Sequence, residues 1–102
     1  MNLIRLMSDA RFAEDGWGAL IALQEGDDVV SYDYESFKFV DDAKDWLDEF
    51  KEVEHARREC VIEPADLEDK RLTLNAYLID IRPNGNLNYS EYYTKKMEEL
   101  EQ

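Results

Sequence analysis

A single cysteine, Cys60, excludes an internal disulfide. No apolar run approaches the roughly 18 residues that a membrane span needs. Residues 1–7 are too short and too polar-flanked to read as a signal peptide. Together these absences point to the cytoplasm. Cations are scarce: 12 Lys and Arg stand against 25 Asp and Glu, for a formal charge of −13. So acidic a chain is repelled by nucleic acid and by anionic lipid, so direct binding to either is not expected. Histidine is limited to His55. It lies five residues before Cys60, which reads as an exposed histidine and a buried cysteine near a helix exit. A nucleophile–base pair would also need an orienting third group and an oxyanion site. No phosphate-binding glycine loop, zinc pattern or serine elbow is present. Asp27, Asp28, Asp33 and Glu35 offer hard oxygen ligands, but the glycine precedes the acids, unlike an EF-hand loop, and they read as hairpin solvation. Carboxylate pairs are too abundant to mark acid–base chemistry. The expectation is therefore a non-enzyme without metal or cofactor.

The 102 residues are enough for one domain, 1–102, burying about 65% of its unfolded surface. Apolar residues at 44% fit a folded globule rather than a disordered chain. The acidity is regional. Residues 41–69 hold 12 acids against Lys44, Lys51, Arg57 and Arg58, a net of −8. The first 40 residues carry −5 and the last 33 carry zero. Self-repulsion opposes compaction, so folding does not need such a block.

Residues 2–7 read as a short strand. Two further apolar runs flank Glu25-Gly26-Asp27-Asp28, which has turn chemistry, and predict a hairpin over about 17–34. In its second strand Val30, Tyr32 and Tyr34 share one face, and Val29, Ser31 and Asp33 the other. Ala43, Trp46, Leu47, Phe50 and Val53 form a helical stripe, with Asp41 or Asp42 as N-cap and acids suited to the first-turn dipole. Cys60 to Ile62 is a short apolar piece, and one helical turn is expected after Pro64. Residues 72–81 are apolar on both faces, as in a central strand. Pro83-Asn84-Gly85 reads as a turn. Asn88-x-x-Glu91 resembles a capping box, and Tyr89, Tyr93, Met97 and Leu100 align at helical spacing, predicting a helix over about 89–101. Its rival is a strand over 87–94 pairing back across the Asn-Gly turn. The order suggests an α+β domain: an antiparallel sheet of about four strands, with the acidic amphipathic helix and a C-terminal helix on one face.

Asp41, Asp45, Asp48 and Glu52 are spaced 4, 3 and 4, so one helix would display them in a row, widened by Asp42, Glu49 and Glu54. The row presents charges at intervals similar in order to those of a phosphate backbone, which has a charge every ~3.4 Å per strand. The plainer alternative is a solvated helix face. Tyr32 and Tyr34 alternate with Asp33 and Glu35, and exposed tyrosines are enriched at interfaces. Ordinary sheet packing is the other reading of the aromatics. The candidate partner-binding residues are thus Asp33, Glu35, Asp41, Asp42, Asp45, Asp48, Glu49, Glu52, Glu54, Tyr32 and Tyr34.

The opening Met1-Asn2-Leu3-Ile4-Arg5-Leu6-Met7-Ser8-Asp9-Ala10 resembles the start of small phage anti-CRISPR proteins that block type I-F surveillance complexes. That family begins with a strand of this kind and follows its sheet with an aromatic-containing helix, comparable to the stretch from Phe39 to Phe50. The likeness covers about a quarter of the chain. It implies a phage inhibitor of the nucleic-acid-handling surface of a bacterial defence complex, and no binding residues are carried over.

The function expected from charge and tyrosines is therefore an acidic inhibitor, a nucleic-acid mimic, on a basic protein surface such as a CRISPR effector complex. An immunity protein or antitoxin neutralising a basic nuclease toxin shares the same physics. A small metal-dependent domain is the alternative of another class. Self-association as a homodimer through an edge strand is a further expectation.

Overall fold

The computed structural model describes residues 1–11, 16–59, 61–82 and 85–100. Four antiparallel strands form one sheet in the order β2-β1-β3-β4, an α+β architecture. β1 (Trp17–Glu25) and β2 (Asp28–Phe37) are the expected hairpin, turning at Gly26 with φ +60°. β3 (Thr73–Asp80) is central, pairing with β1 and with β4 (Asn88–Lys96). Its buried run explains why both of its faces are apolar.

The opening is not a strand. Residues 3–10 form helix α1 (Leu3–Ala10), capped by the Asn2 side chain accepting from the Arg5 amide at 3.2 Å. Leu3, Leu6 and Met7 repeat at helical spacing and bury together. Only Met1 and Asn2 stay extended, pairing with Val29 and Asp28. The residues that suggested a leading strand, and with it the family likeness, are thus helical.

Helix α2 (Val40–Glu49) buries Ala43 and Leu47, with Phe50 at its C-cap. Its N-cap is Phe39, not Asp41 or Asp42, which lie in the first turn and meet the helix dipole there. The expected continuation through Val53 fails. Glu52 is extended (φ −85°, ψ 117°) and starts a separate helix, α3 (Val53–Arg58). No glycine or proline marks this break. Its cause is tertiary: the chain must turn for Ala56, Val61 and Ile62 to join the core. A 3₁₀ turn (Pro64–Glu68) follows, as expected after Pro64, with Asp66 accepting from the Glu63 amide at 2.8 Å.

The predicted C-terminal helix is mostly strand. β4 runs to Lys96 and only α4 (Met97–Leu100) is helical. Without β4 the central strand β3 would bury an unpaired edge, so sheet pairing overrides the local helical stripe. The turn predicted at Pro83 and Asn84, and Cys60, lie outside the described residues.

The sheet has two dry faces. On one, Ala19, Ile21, Leu23, Leu74, Ala76 and Leu78 pack under α2 and α4 with Phe50, Ala56 and Val61. On the other, Leu20, Ala22, Tyr77 and Ile79 pack under α1. Gln24 and Asn75 are the buried polar side chains of this second face; Gln24 Oε1 accepts from Tyr77 Oη at 2.6 Å and from Asn75 Nδ2 at 2.9 Å. A bulge opposite Leu23 and Gln24 reverses the start of β2. Val29, predicted with Ser31 and Asp33, instead joins the α1 face, and Val30 is left exposed.

Candidate functional site

Ala43, Leu47 and Phe50 face the core, and at 100° per residue they set the orientation of α2. Trp46 leans towards β2, where its ring lies 6.0 Å from that of Phe37. Asp48 leans the other way, to β4. Asp42 and Glu49 therefore fall on the β2 side, with Asp41 and Asp45 at the outward crest, while Lys44 and Lys51 fall on the β4 side.

Asp48 is thereby lost from the predicted row. Its carboxylate takes Lys51 Nζ at 2.9 Å and the Tyr92 hydroxyl at 3.0 Å. The Lys51 contact first, and Tyr92 with it, hold the carboxyl below its usual range. Lys51 Nζ also stands 5.6 Å and 5.3 Å from the Tyr92 and Tyr93 ring centroids. Glu52 is lost as well from a single helical row, because it caps α3.

What the fold assembles instead is an acidic edge built from three elements. Asp33 and Glu35 share the α2 face of edge strand β2, opposite Ile21 and Ala19. Asp33 is half-buried; desolvation raises its pKa, with Glu59 and Glu35 adding repulsion against the stabilising Tyr34 amide. Asp41, Asp42, Asp45 and Glu49 come from α2, and Glu52, Glu54 and Glu59 from α3 and its ends, all exposed. Arg57 answers Glu54 at 3.2 Å. Glu59 was not among the predicted residues. Its charge is plain in the sequence, but the turn that brings it beside Asp33 is not.

His55 sits within this edge, its side chain 16% exposed. The ring packs edge-on to Phe50 at 4.5 Å, with Nε2 3.4 Å from Glu49 Oε2 and Nδ1 3.1 Å from an Arg58 nitrogen. The ladder Phe37, Trp46, Phe50 and His55 thus roots the acidic edge in the core. Among the described residues no group of three His, Cys, Asp or Glu side chains is placed to hold a metal ion. Asp28 is engaged by the N-terminal amino group at 2.9 Å.

The tyrosines part from the acids. Tyr32 and Tyr34 lie opposite Ala22 and Leu20, on the α1 face. Tyr34 is structural: its hydroxyl donates to the Ala10 carbonyl at 2.9 Å, and its ring covers Gly18. Tyr32 is exposed, but across the sheet from Asp33 and Glu35. The aromatic beside the acids is Phe39, 62% exposed where β2 enters α2, with Lys38 Nζ 5.9 Å from its ring centroid.

Among the described residues no helix is long and apolar enough to cross a membrane. Compared with protein-family models, curated proteins and solved structures, the chain matches none.

Proposed function

We propose that the protein is a non-enzymatic inhibitor that sets its acidic β2–α2–α3 edge against a basic, nucleic-acid-handling surface of another protein. The observation that supports this is the placement of the charge. Nine exposed or half-buried acids outside the Asp48 pair (Asp33, Glu35, Asp41, Asp42, Asp45, Glu49, Glu52, Glu54 and Glu59) converge on one edge. They stand on elements fixed by Leu47, Phe50 and Ala56. A rise of 1.5 Å per residue puts Asp42, Asp45 and Glu49 at steps of about 4.5 and 6 Å along the helix. That is the scale of neighbouring phosphates. Exposed Phe39 adds apolar contact area beside the carboxylates.

The most concrete form of this function is inhibition of a bacterial defence complex. The acidic edge supports this function; the N-terminal helix α1 does not bear on it. Such attraction accelerates encounter and weakens with salt.

The test is affinity capture from bacterial lysate at low and high salt, comparing wild type with the Asp42→Lys, Asp45→Lys, Glu49→Lys triple variant. Nucleic-acid-binding proteins should be held at low salt, displaced by added nucleic acid and lost with the triple variant. A captured set indifferent to all three would refute the reading. A captured nuclease toxin would identify the immunity-protein form.

A further inference from the structure

The two edges of the sheet are finished differently. The outer edge of β2 is capped along much of its length. The Val29 amide donates to the Met1 carbonyl at 2.7 Å, and the Met1 amino group reaches the Val29 carbonyl at 3.3 Å. Further along, Asp33 accepts from the Tyr34 amide at 2.9 Å and Glu35 from the Ser36 amide at 3.2 Å. These contacts occupy three outward donors and one acceptor that an added strand would need, leaving the Tyr32 amide between them. On β4 the corresponding device is at the end: Glu99 accepts from the Lys96 amide at 2.7 Å. Because that amide is turned away from β3, alternation turns Thr94 outward too. Across the bulge at Tyr92, which lies between the Tyr77↔Glu91 and Ala76↔Tyr93 pairs, Glu91 also faces outward. Among the described residues nothing caps Glu91 or Thr94. An uncapped row of this kind is a template for another strand.

We propose that β4 pairs antiparallel with β4 of a second copy, joining two four-stranded sheets into one of eight. Charge selects the occupant. A chain of −13 repels itself, yet its last 33 residues, which include all of β4, carry zero net charge with both signs present. The two acidic edges would then lie at opposite ends of the joined sheet. Seven strand spacings of ~4.8 Å separate them by about 34 Å. That is several Debye lengths of ~8 Å, so their repulsion is screened.

The faces fix the register. Thr94 and Lys96 lie on the α1 face with Glu91, while Tyr92 and Tyr93 both turn to α2. Matching faces sets Glu91 opposite Thr94 of the second copy and Tyr92 opposite its Tyr93. Glu91 then stands diagonal to the second copy's Lys96, an attractive same-face pair.

Sedimentation equilibrium on the full chain tests this. Wild type should approach twice its 12.0 kDa mass and dissociate on dilution. A 12.0 kDa species persisting to roughly millimolar concentration overturns the proposal. Thr94→Pro removes an outward donor and no bond to β3, so it should be monomeric with native circular dichroism. If that variant does not fold, Glu91→Lys decides. It should raise the dissociation constant at least tenfold at low salt, and adding Lys96→Glu should restore it. A folded Thr94→Pro that remains dimeric, or an unchanged constant in Glu91→Lys, overturns the pairing. The Asp42, Asp45, Glu49 triple variant should keep the dimer mass. Loss of the dimer in that variant would overturn pairing through β4 without touching the docking reading.

Discussion

The Tyr93 hydroxyl donates to the Leu47 carbonyl at 2.8 Å, tying edge strand β4 to the last turn of the acidic helix. That carbonyl also accepts from the Phe50 amide at 3.1 Å. Removing the hydroxyl therefore leaves it one partner. Tyr93→Phe should cost about 1 kcal/mol, the net worth of one such bond. Urea denaturation followed by circular dichroism measures it. A cost near zero would mean that ring packing alone holds β4 to α2.

Gly18 lies under the Tyr34 ring, where an added Cβ would come within 2.7 Å of the hydroxyl oxygen. Tyr34 cannot swing away freely, because the same hydroxyl holds the Ala10 carbonyl. Gly18→Ala should destabilise by about 1–3 kcal/mol through overpacking. It should also lower hydrogen-exchange protection in α1 before that of the sheet. Uniform loss of protection would count against this local mechanism.

Burial first of all pushes the Tyr77 phenol up to about 12, from an ordinary value near 10. Burial likewise raises Tyr93. A raised folded pKa means that the neutral form is favoured in the fold. The contribution of the buried phenols to stability should therefore be flat below pH 10 and fall from pH 10 through about 12 as Tyr77 ionises. The Tyr77→Phe, Tyr93→Phe pair should flatten that decline, as read by urea midpoints across alkaline pH. A decline of unchanged steepness would assign it to other groups.

Asp48 and Asp45 should separate structure from docking. Asp48 is lowered by its Lys51 contact, so its contribution is present above the ordinary carboxylate pKa and lost as pH falls through the lower folded value. Asp48→Asn should cause a small loss of stability, confined to pH above that range, and leave partner capture intact. Asp45→Lys with Glu49→Lys should do the reverse: raise Tm at low salt by relieving like-charge repulsion, and abolish capture. A thermal-shift series in salt reads the first effect and capture reads the second. Equal capture by wild type and the double-lysine variant would argue against the acidic edge.

The hairpin, the central strand and the first turns of α2 were legible because their signals are local. Gly26 between two apolar runs admits one simple connection, and Leu74 to Ile79 is apolar at every position but Asn75. Leu3, Leu6 and Met7 were also in plain view, but six residues fit either period, and the Asn2 cap decides for helix. Residues 89–97 matched a helix by spacing and a strand by composition. Only the need of β3 for a second partner separates the two. Of the predicted site, the acids of α2 could be named, but Asp48 could not be removed without knowing that Tyr92 and Lys51 converge on it.

Charge content, the regional concentration of acid and the amphipathic stripe of α2 belong to the sequence alone, since each is a property of residues near one another along the chain. The tertiary structure decided which acids meet. It turned the chain at Lys51 and Glu52, bringing Glu59 close enough to Asp33 to help raise its pKa, and it put Val29 on the α1 face through the bulge in β2. It also capped more of the outward donors of β2 than of β4. These are long-range outcomes. They follow from burying Ala56, Val61 and Ile62 on a sheet whose two faces are both dry, and no local pattern records that requirement.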